Sequence, residues 1–124
     1  MIKEVVSSLM ESLGLPYMYW EFEDTGDGIP GCYFVGERLP DRIGDESPGE
    51  GGTFVVSGWS SVGLDPLDEA EAAIREALSA PGGDLRRSGD GWACAVWYLQ
   101  AQDVPSDVEG RRRVEFTLGY EEWS

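Results

Sequence analysis

The chain has 124 residues, with 24 acidic against 9 basic side chains, a formal net charge of −15 and no histidine. Without histidine there can be no Ser-His-Asp triad, no Cys-His pair and no His-containing zinc site. A surface this acidic also lacks the basic face that neutralises nucleic-acid phosphates or anionic lipid headgroups, so neither nucleic acid nor membrane is expected as a partner.

The length suits a single domain over 1–124. The hydrophobic fraction is 41%, with five Trp, five Tyr and four Phe, and such a chain is expected to fold despite its charge. No apolar run approaches the roughly 20 residues of a membrane span, and the acidic, amphipathic start is unlike a signal peptide. Cys32 and Cys94 sit far apart in apolar runs. They read as two buried free thiols in a reducing cytosolic environment, or as a disulfide between adjacent strands.

Residues 2–13 carry Ile2, Val5, Val6, Leu9, Met10 and Leu13 at helical spacing, with Gly14 as a C-terminal cap and Pro16 as a stop. Residues 17–23 are aromatic and predict a strand, followed by turn chemistry from Asp24 to Gly31. Residues 32–36 predict its hairpin partner. The segment 37–52 is acidic and rich in Gly and Pro, and reads as a long loop. Residues 53–59 form a third strand. Asp65, a good N-cap, and Pro66 then open a helix over 65–80. Its apolar face is Leu67, Ala70, Ala73 with Ile74, Ala77 and Leu78, Glu71 and Arg75 pair at i, i+4, and Pro81-Gly82-Gly83 ends it. A polar loop over 84–91 precedes a long strand over 92–102, a turn region over 104–110, and a final alternating strand over 113–120. The order α-β-β-β-α-β-β predicts an α+β fold, with a five-stranded, mostly antiparallel sheet and two helices packed on one face.

The chemistry-bearing motifs are sparse. The pairs Glu21/Glu23 and Asp24/Asp27 read as solvated charge, since nothing marks a desolvated carboxylate. Asp41, Asp45 and Glu46 do not fit the spacing of a calcium loop. The Gly-rich stretches lack the Lys-Ser/Thr of a phosphate-binding loop. Ser57, Ser60 and Ser61 have no base to activate them. The expectation is a protein with no catalytic residues, no cofactor and no metal. The aromatics exceed what one sheet face can bury, so some are expected on the other face or at an edge, as anchors of protein contacts.

The element order resembles the tail-terminator or tail-completion proteins of long-tailed bacteriophages and prophages, also known as minor tail or head-tail joining proteins. Four features carry the likeness: the opening helix running through Gly14-Leu15-Pro16-Tyr17 into an aromatic strand; the strand Pro30-Gly31-Cys32-Tyr33-Phe34-Val35; the strand Thr53–Trp59 leading to the 65–80 helix; and the late strands ending Val114-Glu115-Phe116-Thr117-Leu118-Gly119-Tyr120-Glu121. The 37–52 and 84–91 loops are longer or more polar than the pattern requires.

The resemblance implies a structural virion protein, assembled in the host cytoplasm and ending in the virion tail. It implies a ring homo-oligomer, a hexamer in many relatives, that meets tail-tube and head-completion proteins and joins tail to head. The interface residues expected on that reading are Glu37, Asp41, Asp45, Glu46 and Glu50 of the acidic loop, Arg111, Arg112 and Arg113, and Trp123, with the basic strand end of one subunit meeting the acidic loop of the next. The rival readings are an acidic inhibitor that mimics DNA and a generic small binding or adaptor protein. A DNA mimic requires carboxylates gathered on one face, whereas a ring subunit requires acid and Arg patches on opposite sides.

Overall fold

A computed structural model describes residues 1–24, 26, 28–40, 50–79 and 84–123, with the backbone alone described at Pro40 and Glu50. Helix α1 (Ile2–Ser12) buries Ile2, Val5, Val6, Leu9 and Met10, the stripe its spacing predicts. It ends as the sequence requires. Gly14 turns left-handed at φ 71°, its N–H bonds the Glu11 carbonyl, and the Leu15 N–H bonds the Met10 carbonyl.

The chain then forms β1 (Tyr17–Tyr19), β2 (Cys32–Pro40), β3 (Glu50–Ser60), α2 (Asp65–Ala77), β4 (Leu85–Gly89), β5 (Trp92–Val104) and β6 (Arg112–Trp123). The sheet has six strands in the order β1-β2-β3-β6-β5-β4. All neighbours are antiparallel except β1 and β2, which run parallel.

Three expectations are corrected here. The first strand is not a hairpin partner of the second. It stops after three residues, the chain leaves the sheet at Trp20, and a connection of about a dozen residues returns it in the same direction, as a parallel pair requires. Asp24 organises that connection by accepting the N–H groups of Gly26 (2.8 Å) and Gly28 (2.9 Å). Second, 84–91 is a strand and its turn rather than a loop. Only Leu85 of β4 is buried, so this edge strand carries almost no period-two signal. Third, the 37–52 segment is a loop only in part. Strands β2 and β3 pair from Cys32↔Ser60 to Pro40↔Gly52, which places Glu37 and Leu39 in the ladder. At α2, Asp65 is the first helical residue and makes no capping hydrogen bond. Pro66 lies in the first turn, and the helix closes at Ala77 with Leu78 as its cap. The expected stop at 81–83 lies outside the described residues.

Side-chain alternation divides the sheet into two faces. Phe34, Phe54, Val56, Val96, Val114, Phe116, Leu118 and Tyr120 form one buried cluster with Leu67, Ala70, Ile74 and the α1 stripe, so both helices cover the same face. Strand β5 keeps its place in that core only through a register shift between Tyr98 and Gln100. The bulge leaves Leu99 outside, 52% exposed, and switches the inward residues from Cys94, Val96 and Tyr98 to Ala101.

Close packing of α2 depends on Gly58. A Cβ there would meet the Phe34 ring at 2.6 Å and Leu67 at 2.9 Å. Gly58→Ala should therefore cost about 1–3 kcal/mol by overpacking. Urea denaturation checks this as a lowered midpoint with an unchanged slope.

Candidate interaction surface

Among the described residues no helix covers the other face of the sheet. Its composition follows from the register: Tyr33 opposes Trp59, which opposes Arg113, which opposes Val104. This row forms a layered cluster at one end of the face. The Tyr33 and Trp59 rings stack at 5.3 Å, and Phe22 packs on Tyr33 at 4.9 Å. The Arg113 guanidinium lies 4.8 Å above Trp59 and the Arg111 guanidinium 4.9 Å above Tyr33.

Polar contacts close the cluster. The Trp59 Nε1 donates to Asp107 (3.0 Å), Arg113 pairs with Glu115 (3.2 Å) and Asp107 (3.8 Å), and Arg111 donates to the Gly31 carbonyl (3.0 Å). Asp107 sits on the turn before β6, so this turn is pinned to the sheet by a ring nitrogen and a guanidinium together. Burial pushes the Tyr33 hydroxyl above its ordinary pKa, and the neighbouring Arg111 partly opposes the shift.

The middle of the face is shallow, made of Thr53, Val55, Ser57, Thr117 and Ala95. At the far end the Trp97 indole lies directly over Gly119, where any Cβ would collide with it. Leu39 (44% exposed) and Trp123 (37%) are the large apolar side chains left open at that end.

The expected interface residues separate accordingly. Arg111 and Arg113 are committed within the chain as described. Arg112, between them, points to the opposite face, is exposed and forms no ion pair among the described residues. Glu37 is exposed on the uncovered face opposite Val55. Asp41, Asp45 and Glu46 lie outside the described residues. Glu50 opens β3 opposite Glu122, beside Trp123. The Arg cluster and the Glu50–Trp123 end thus occupy opposite ends of β6, separated by about 37 Å at 3.4 Å per residue. Sequence reasoning missed the partners of the arginines, Tyr33, Trp59 and Asp107. Their signal was the shared alternation of 111/113 and 33 on strands that only the register brings together.

One buried carboxylate was also missed. Glu122, 7% exposed, accepts the Ile2 N–H at 3.4 Å and so joins the last strand to the first turn of α1. Cys94 lies opposite it, and burial together with the Glu122 charge pushes that thiol up to about 11. Cys32 sits at the other end of the sheet, opposite Ser60, and both cysteines are free, which removes the disulfide alternative. Among the described residues no group of His, Cys, Asp or Glu is placed to hold a metal, and no helix is long and apolar enough to cross a membrane. The described carboxylates include groups on both helices (Glu4, Glu11, Asp68, Glu69, Glu76), on turns (Asp84, Asp90, Glu109) and on the uncovered face (Glu37, Glu115, Glu121). They do not gather on one side.

No family model matches the chain and no curated protein matches it. Solved structures do. A chain in the structure of the virion of a native gene transfer agent particle aligns with a TM-score of 0.62 at 18% identity, covering 94% of this chain and 84% of that one. A second solved chain aligns with a TM-score of 0.59 at 21% identity, covering 95% of this chain and 86% of that one. The fold is therefore shared over nearly the full length.

Two outcomes follow from the cluster and the thiol. Arg113→Ala strips the cation from Trp59 and from two carboxylates, one of them largely solvated, and should cost about 1–2 kcal/mol in urea denaturation. Cys94 has a folded pKa above its ordinary 9.0, so its contribution to stability is complete below pH 9 and is lost as pH rises from there through about 11. Cys94→Ala should therefore lose less stability than the wild type between pH 8 and pH 11, measured as the change in thermal midpoint.

Proposed function

We propose that this chain is a structural subunit of a phage-like particle, a tail-terminator or tail-completion protein that forms a ring at the head-proximal end of the tail and joins tail to head. The observation that carries the reading is the fold shared with a chain of the gene transfer agent virion over 94% of this sequence. The element order that resembles the tail-completion family points the same way. On this reading the protein has no catalytic role and no cofactor. Its partners are further copies of itself and the tail-tube and head-completion proteins, with assembly in the host cytoplasm and a final location in the virion.

The surface chemistry supports assembly. The helix-free sheet face is shallow at its centre and bears exposed Leu39 and Trp123 at one end, a composition suited to protein contact. Arg112 is the member of the arginine triplet that forms no ion pair among the described residues, and acidic Glu121 lies toward the opposite end of β6, so basic and acidic groups are separated as a head-to-tail contact needs. The spread of carboxylates over helices, turns and sheet disfavours the DNA-mimic alternative, which needs them in one array.

Gold labelling of a tagged copy in particles released from producing cells tests the assignment. Label at the junction of head and tail is the expected result. Particles free of label, or label confined to the capsid shell or the distal tail tip, would contradict it.

A further inference from the structure

The two edges of the sheet are chemically opposite. At one edge β1 ends in Trp20, the only non-glycine residue among the described residues with a left-handed backbone, at φ 77°, and its indole is 66% exposed. A bulky residue rarely adopts that conformation, and strain of this kind concentrates at contact and functional positions. The backbone is held there by the Trp20 N–H bonding the Gly36 carbonyl at 2.8 Å. Glu21 and Glu23 follow directly, both exposed and without an ion pair among the described residues. At the other edge β4 exposes two consecutive arginines. Among the described residues Arg86 pairs with Asp84 alone (3.2 Å), and Arg87 donates to the Arg86 carbonyl and forms no ion pair. In a chain of net charge −15, two consecutive arginines on an edge strand that share a single carboxylate neighbour among the described residues are an exception.

We infer that these edges bind each other between copies, with Trp20, Glu21 and Glu23 of one protomer receiving Arg86 and Arg87 of the next. The inference rests on the self-assembly proposed above and names its interface. The strand order puts β1 and β4 at opposite edges, about 24 Å apart at 4.8 Å per strand. A contact between two different surfaces on opposite sides of a subunit is heterologous, and it closes a ring when the rotation fits. Guanidinium groups meet an indole face and two carboxylates, and Trp and Arg are among the residues enriched at interface hot spots.

The contact is made by side chains rather than by strand addition. Past Tyr19, the outer edge of β2 is closed, because the Arg38 N–H donates to the Tyr19 hydroxyl (3.4 Å) and Pro40 has no N–H to offer. Tyr19, just before Trp20, stands level with the Gly36–Val56–Phe116 row, whereas Arg86 stands level with the Gly51–Glu121 row, five residues further along β6. Joining them requires the strands to tilt against the ring axis, as strands do when a sheet closes into a barrel.

Sedimentation velocity on the full chain tests this. The variants Arg86→Glu/Arg87→Glu and Glu21→Arg/Glu23→Arg each set like charges against one another, and each should weaken association at least about tenfold. All four positions are exposed, and circular dichroism verifies that both variants fold. Trp20→Gly keeps the left-handed backbone, removes the indole and should also weaken association. Mixing the two charge-reversed variants in equal amounts pairs every acidic edge with a basic one and should restore the wild-type sedimentation. Variants that assemble like the wild type, or a mixture that stays dissociated, overturn the edge contact and leave self-assembly itself standing. A wild type that sediments as a monomer at every concentration overturns both.

Discussion

The alternation of side chains along β6 is the constraint on which the rest of the molecule depends. Its inward residues, Val114, Phe116, Leu118 and Tyr120, lie at the centre of the core, and its neighbours β3 and β5 are the strands against which α2 packs. Each large apolar side chain removed from water here contributes about 1.5–3 kcal/mol. Because the side-chain period is two, a slip of one residue would turn Phe116 and Leu118 to solvent and bring Arg113 and Glu115 into the core. The register is therefore fixed by burial, and the composition of the other face is fixed with it.

That second face follows from the first. Once Phe54 and Val56 are inward, Trp59 must be outward, and the same holds for Tyr33 opposite it and Arg113 beyond. The aromatic and guanidinium groups neutralise one another's exposure without a covering helix. Cation–ring contacts, a ring N–H bond to Asp107 and two carboxylates fasten the turn before β6 to the sheet. Arg111 and Arg113 are thereby occupied within the chain. Alternation or edge position turns Arg112, Arg86 and Arg87 away from this cluster, and of these Arg86 is held by Asp84.

Much of this was legible in the sequence, for identifiable reasons. Both helices showed because each buries a stripe at 3.6-residue spacing, and β6 showed because one face is buried and the other is not. What was illegible depends on partners distant in the chain. Strand β4 buries Leu85 alone and so has no periodicity to read. The parallel pairing of β1 depends on Trp20 breaking the strand with a left-handed backbone that residue type does not suggest. The bulge at Leu99 shifts the inward phase of β5 from Tyr98 to Ala101, a change that no turn residue in 92–102 marks. Among the expected interface residues, the arginine triplet was legible as a cluster but not as two groups committed to Tyr33 and Trp59 on the uncovered face around one that points the other way. The buried Glu122 was hidden among the acids of the C-terminal end until the fold brought α1 onto it.

We propose that this small acidic α+β subunit works by assembling with itself. Electron microscopy of the purified, unmodified protein tests that most directly. The account predicts annular particles with a fixed number of repeats, which dissociate as salt screens the contacts between charged edges. Isolated 13.6 kDa subunits at every concentration and salt condition would contradict it.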